Sequence, residues 1–69
     1  MTATSPPGPA DDLERYVGLE TAEAEHQARS RGWLILRTVA PGAMVTMEFR
    51  AGRLNFEVEE DRVKRAWQG

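Results

Sequence analysis

Two strand-forming segments, Trp33 to Val39 and Leu54 to Val58, are separated by the residues from Ala40 to Arg53, which show no 3.6-residue apolar repeat and carry glycine near both ends. This gap constrains the chain more than anything else in it. Long connections without internal structure are uncommon in compact domains, where they are either functional or disordered. The chain has only 69 residues and no cysteine. A chain of that size forms a single domain and buries only about 60% of the surface exposed on unfolding. A disulfide, a thiolate metal site and a cysteine nucleophile are all excluded. Any exposed segment that must be stiff therefore has to be stiffened by the side chains beneath it.

Around that gap the elements are readable. Three of the four prolines lie between Thr2 and Asp12, so residues 1–12 are expected to form a disordered Pro/Gly-rich tail and residues 13–69 the domain. Glu20, Thr21 and Glu23 precede Ala24, while Arg29, Arg31 and Gly32 close the segment, which predicts a helix from about Thr21 to Arg31. Its buried face is expected from Ala24 and Ala28, with Ala22 beside them. Trp33 to Val39 reads as a strand ended by Pro41-Gly42. Leu54, Phe56 and Val58 alternate with polar residues, the pattern of a half-buried strand. Past the charged turn Glu59-Glu60-Asp61-Arg62, the segment Val63 to Trp67 is expected to return antiparallel, with Val63 and Trp67 on the buried side.

Charge and side-chain inventory narrow the function. Nine Lys and Arg against eleven Asp and Glu give a net charge of -2, without the basic excess by which a nucleic-acid binder displaces counterions. No apolar run approaches the roughly 18 residues of a membrane span, so no membrane partner is expected. Met1 to Ala10 lacks the basic start and apolar stretch of a secretory signal, which makes a cytoplasmic location the expectation and leaves extracellular action open. His26, the single histidine, is expected on the helix surface; Ser5 and Ser30 have no general base to activate them. The acidic run Glu57 to Asp61 lacks the spacing of a calcium loop, and Trp33 and Trp67 read as packing residues. No metal, no cofactor and no enzymatic activity are expected.

What the long connection does is left open by its residues alone. Met44, Val45, Met47 and Phe49 would form an apolar contact surface if exposed. Equally, they could belong to a third strand with its apolar side chains in the core.

The segment Val45-Thr46-Met47-Glu48-Phe49-Arg50-Ala51-Gly52-Arg53 resembles the reactive-site region of the potato inhibitor I family. Tyr16-Val17-Gly18, ahead of the helix, and Pro41-Gly42, at the start of the connection, are similar to that family as well. Arg53-Leu54-Asn55 resembles the Arg-Leu-Asn of bacterial peptidase inhibitors of the same fold. The resemblance implies an α+β protein, one helix packed on a small mixed sheet, with a long exposed reactive-site loop joining two parallel strands. Such strands cannot be joined by a tight hairpin, so a long connection is needed there. It further implies a serine-protease inhibitor, expected to act as a monomer on subtilisin-, chymotrypsin- or elastase-like enzymes. Met44, Val45, Thr46, Met47, Glu48, Phe49 and Arg50 would form the protease-binding loop. Met47 would enter the primary pocket, Thr46 would precede it, and Met47-Glu48 would be the reactive bond. Arg53 and Asn55 would support the loop from the following strand, Arg53 through groups at Thr46 and Glu48. The alternative is an interaction module that keeps the fold without inhibiting a protease.

Overall fold

A computed structural model describes residues 9–43 and 48–69. Residues 1–8, and with them most of the expected tail, lie outside the described residues, as do Met44, Val45, Thr46 and Met47. A short 3₁₀ turn, Leu13–Tyr16, precedes helix α1, Thr21–Ser30, and three strands follow: β1, Ile35–Val39; β2, Arg53–Glu59; and β3, Arg62–Gln68. They form one sheet in the order β1-β2-β3, with β1 parallel to β2 and β3 antiparallel to it. This is the expected α+β fold, with one helix, a small mixed sheet and a long connection between its two parallel strands.

Helix α1 begins where its first free N–H finds a partner on another element, for the Thr21 N–H donates to the Asp61 carbonyl at 3.0 Å. Glu20, at the N-cap, makes no side-chain capping bond. At the other end Gly32 takes φ +101°, a left-handed conformation that glycine adopts cheaply, and its N–H meets the Arg29 carbonyl at 3.1 Å. Ala24 and Ala28 are buried, one helical turn apart. Ala22 is exposed, contrary to expectation, because a step of two residues swings it to the far side of the helix. His26 is exposed as well.

Trp33 and Leu34 fall before β1 rather than in it. The Trp33 N–H still serves the helix, donating to the Ala28 carbonyl at 3.1 Å, and the Leu34 and Ile35 N–H groups both donate to the Gly52 carbonyl at 3.2 Å. Tyr16, Ala24, Ala28, Trp33, Leu54, Phe56 and Val63 form the core, bordered by Leu13, Leu19, Leu36, Val58 and Ala66. The Tyr16 and Phe56 rings meet at 5.4 Å and 52°, a tilted pair that adds about 0.5–1.5 kcal/mol beyond its buried area.

The β2–β3 hairpin turns on Glu60 and Asp61, both left-handed at φ 52° and 61°. Two such residues match the twist of the strands they join. Between Glu57 and Val58 the register slips: Val58 faces Val63 while Glu57 faces Arg65, so Lys64 is an extra residue on β3. This bulge corrects the simple alternation expected for β3. Past it the faces exchange, so that Ala66 lies opposite Phe56 on the helix side and Trp67 lies opposite Asn55 on the other.

Asp11 fastens the chain ahead of the helix. Its carboxylate accepts from the Tyr16 hydroxyl and, at 3.0 Å, from Trp33 Nε1, and it pairs with Arg15 and Arg31 at 3.5 Å. Burial pushes the Asp11 carboxyl up, but the bonds from Tyr16 and Trp33, with Arg31 beside them, outweigh it and hold the group below its ordinary value. The Tyr16 hydroxyl is pushed up to about 12 by burial and by its bond to Asp11. Asp11 and Asp12, the last residues of the expected tail, are thus bonded to the domain, Asp12 by accepting from the Glu14 N–H.

Candidate functional site

Alternation on β2 puts Leu54 and Phe56 toward the helix and Arg53 and Asn55 on the opposite face. That second face is buried too. Arg53 is 5% exposed and Asn55 fully buried, so the strand is covered on both sides along its first half, a correction to the half-buried pattern. The connection between β1 and β2 supplies part of the cover. Its two ends are shaped by similar turns. Ala43 N–H donates to the Ala40 carbonyl at 3.1 Å across Pro41-Gly42, and Arg53 N–H to the Arg50 carbonyl at 3.2 Å across Ala51-Gly52. Gly42 and Gly52 both sit at φ 76°, the left-handed third position of a type II turn.

Arg53 is the centre of the arrangement. One Nη of its guanidinium donates to the Glu48 carbonyl at 2.6 Å and to the Gly69 carbonyl at 2.7 Å. Gly69 is tied in twice more, accepting from the Arg50 N–H at 3.2 Å and donating to the Arg53 carbonyl at 3.0 Å. A methyl group on Gly69 would stand 3.2 Å from the Phe49 ring, so glycine permits that ring to lie over the backbone. Burial, with Arg37 close by, pushes the Arg53 guanidinium below its ordinary value, Glu48 acting in the opposite sense. Its Nε has no partner among the described residues.

The described residues expected to form the loop, Glu48, Phe49 and Arg50, are all exposed, Phe49 at 60%. They therefore do not form a buried third strand. Met44, Val45, Thr46 and Met47 lie outside the described residues, as does any bond from Arg53 to Thr46. Asn55 is placed differently from Arg53. Its Oδ1 accepts from Arg37 Nε at 2.7 Å and its Nδ2 donates to the Trp67 carbonyl at 3.1 Å. Arg37, on β1, is a residue that sequence reasoning passed over, although a cation in the middle of Leu34-Ile35-Leu36-Arg37-Thr38-Val39 was a visible anomaly. Away from this region, a shallow groove of about 240 Å³ opens between Thr21, Thr38, Val39, Ala40 and Val58, and none of the expected site residues lines it. Among the described residues no three His, Cys, Asp or Glu side chains are placed to hold a metal ion.

Arg53 thus ties the backbone at Glu48, an exposed residue of the connection, to β2 and to Gly69. Comparison with known families bears on the partner. The family model of the peptidase inhibitor I78 family matches residues 10–65. The chain belongs to that family. The I78 assignment overturns the resemblance to potato inhibitor I, a distinct family of protease inhibitors. That resemblance was carried chiefly by Val45 to Arg53, a run whose residue types serve one loop, whereas the I78 match spans the helix and nearly all of the sheet. No curated protein and no solved structure matches the chain. Membership in the I78 family implies a peptidase as the partner.

Proposed function

We propose that the protein inhibits serine proteases by presenting the connection between β1 and β2 as a substrate-like segment that is ordered before binding. Val45 to Arg50 would lie in the enzyme's cleft, Met47 would fill the primary pocket and Met47-Glu48 would be the reactive bond. The observation that carries this reading is the 2.6 Å bond from Arg53 to the Glu48 carbonyl. It holds the residue that would become the new amino terminus if the bond before it were cut. A leaving group kept in place can attack the acyl-enzyme in reverse before water does, which separates an inhibitor from a substrate.

The magnitudes favour such a device. Ordering six backbone residues at the moment of binding costs about 6–12 kcal/mol, and the step from millimolar to nanomolar affinity is about 8 kcal/mol. Pre-ordering alone is large enough to convert a weak substrate into a tight inhibitor. An unbranched methionine suits an apolar pocket, so subtilisin-, chymotrypsin- and elastase-like enzymes are the proposed targets.

Titration of subtilisin and chymotrypsin with the protein tests this. The expected outcome is stoichiometric, persistent inhibition with slow cleavage at Met47-Glu48, and loss of inhibition in Met47→Asp at an unchanged melting temperature. Rapid hydrolysis of that bond without inhibition, or full inhibition by Met47→Asp, would overturn the reading.

A further inference from the structure

Large apolar side chains are exposed at three places among the described residues: Val17 at 41%, Leu34 at 79% and Phe49 at 60%. Two of the three flank the end of the connection. Val17 belongs to the other end of the sheet, next to Gly18, whose N–H donates to the Val63 carbonyl near the start of β3. Leu34 lies against Gly52, where its Cδ1 would stand 3.7 Å from a methyl group on that glycine. Phe49 lies over Gly69, and the Gly69 N–H reaches the carbonyl of Arg53, one residue past Gly52. The turn from Arg50 to Arg53 thus carries one apolar side chain on its β1 side and one on its β3 side.

Leu34 is set outward by its backbone. Leu36 borders the core, and strand alternation would carry Leu34 to the same side. Instead Trp33 takes the core position, and the N–H groups of Leu34 and Ile35 converge on one carbonyl, that of Gly52, both at 3.2 Å. A regular strand offers alternate residues, not consecutive ones, to the same neighbour, so alternation is broken here. Covering the buried Gly52 shields a small part of the leucine, and the rest faces water. Apolar surface kept out of the core beside a functional segment is the mark of a contact with another molecule.

The size of that contact decides what covers it. A stable protein complex buries about 800 Å² on each partner, contributed by about 20–30 residues. The six residues from Val45 to Arg50 are too few, so a peptidase that takes them into its cleft also meets residues beside them. Phe49 and Arg50 follow the reactive bond and run into the turn against which Leu34 rests. We propose that Leu34 is a further contact residue for the peptidase, meeting together with Phe49 an apolar lip of the enzyme on the side of the cleft that follows the reactive bond. The proposal rests on the reading of the connection as the protease-contact segment, and its partner is the one that family membership implies.

The experiment measures dissociation of subtilisin and of chymotrypsin from the wild type, Leu34→Asp, Leu34→Met and Met47→Asp, with amide exchange and melting of each free protein. An exposed position tolerates substitution, so Leu34→Asp should melt with the wild type. Its complexes are expected to dissociate about tenfold faster or more, since changes at an interface act mainly on the dissociation rate. Leu34→Met keeps an apolar side chain of similar size and should dissociate as slowly as the wild type. The Arg50 and Arg53 amides, which bond within and beside the turn, should exchange at wild-type rates in all the Leu34 variants. Faster exchange there in Leu34→Asp would mean that the leucine acts by holding the turn, and the inference fails. Unchanged dissociation in Leu34→Asp, with inhibition lost in Met47→Asp, overturns the inference and leaves the functional reading standing. Inhibition kept in Met47→Asp and lost in Leu34→Asp does the reverse. A wild type that inhibits neither enzyme overturns both.

Discussion

The two faces of β2 are built from alternate residues of one strand and are buried for opposite reasons. Leu54 and Phe56 meet Tyr16, Ala24, Ala28 and Val63, a wholly apolar set apart from the Tyr16 hydroxyl. Arg53 and Asn55 are as well covered, yet meet backbone carbonyls and another arginine. Burying a phenylalanine gains about 1.5–3 kcal/mol, whereas burying a charged or amide group returns little net stability and costs heavily wherever a donor is left unmet. The helix side holds the fold together. The other face ties the backbone at Glu48 and Gly69 to β2 through Arg53.

The largest effect that would test this contrast lies on the apolar side. Phe56→Ala should cost about 3–5 kcal/mol in urea unfolding, a large part of what a chain of this size has to lose. A loss below about 1 kcal/mol would mean that the helix face is not the source of stability. On the polar side the readout moves from stability to shape. Arg53→Ala should weaken protease inhibition by about a hundredfold, since re-ordering even two loop residues on binding costs about 2–4 kcal/mol, while the unfolding midpoint shifts far less than in Phe56→Ala. If Arg53→Ala melted the protein as severely as Phe56→Ala and left inhibition by the remaining folded fraction intact, the two faces would not differ in role.

A smaller effect sharpens the comparison at the one place where the apolar side admits a charge. The folded Asp11 carboxyl lies below its unfolded value of 3.8, so its stabilisation is complete above that value and is lost as the pH falls through the folded one. The Tyr16 hydroxyl has the opposite sign: raised from 10.0 to about 12, it contributes fully below pH 10 and loses that contribution as the pH rises through about 12. Asp11→Asn should remove the acid-side slope and cost about 1–2 kcal/mol at neutral pH, the difference between charged and neutral hydrogen bonds. If stability falls with the same slope below pH 4 in both proteins, Asp11 is not the titrating support.

Much of this fold was legible in the chain. The helix could be read from Thr21 onward because acidic residues, alanines at one-turn spacing and Gly32 all agree. Leu54, Phe56 and Val58 marked the strand that carries the core, and the missing periodicity between Ala40 and Arg53 marked the connection. Trp67 was misread for a specific reason. A bulge adds one residue at Lys64, and a single residue inverts every later side chain on β3, while nothing in Val63-Lys64-Arg65-Ala66-Trp67 announces it. Ala22 was misread by taking neighbours in sequence for neighbours on a helix. Arg53 could be anticipated beside the loop, but its bond to Gly69 joins residues 16 apart and depends on the sheet having formed. Arg37 was overlooked because its bond to Asn55 joins residues 18 apart across the parallel pair.

Local order was written in the chain itself: where a helix begins and ends, which strands have an apolar face, where a turn must hold glycine. These follow from spacing and backbone conformation, properties of consecutive residues. The register of β3, the burial of Arg53 and Asn55, and the tie between Arg37 and the strand beside it were decided only when the sheet assembled. A hydrogen bond depends on distances of a few tenths of an ångström between groups far apart in the chain, and such distances do not exist until the strands lie side by side.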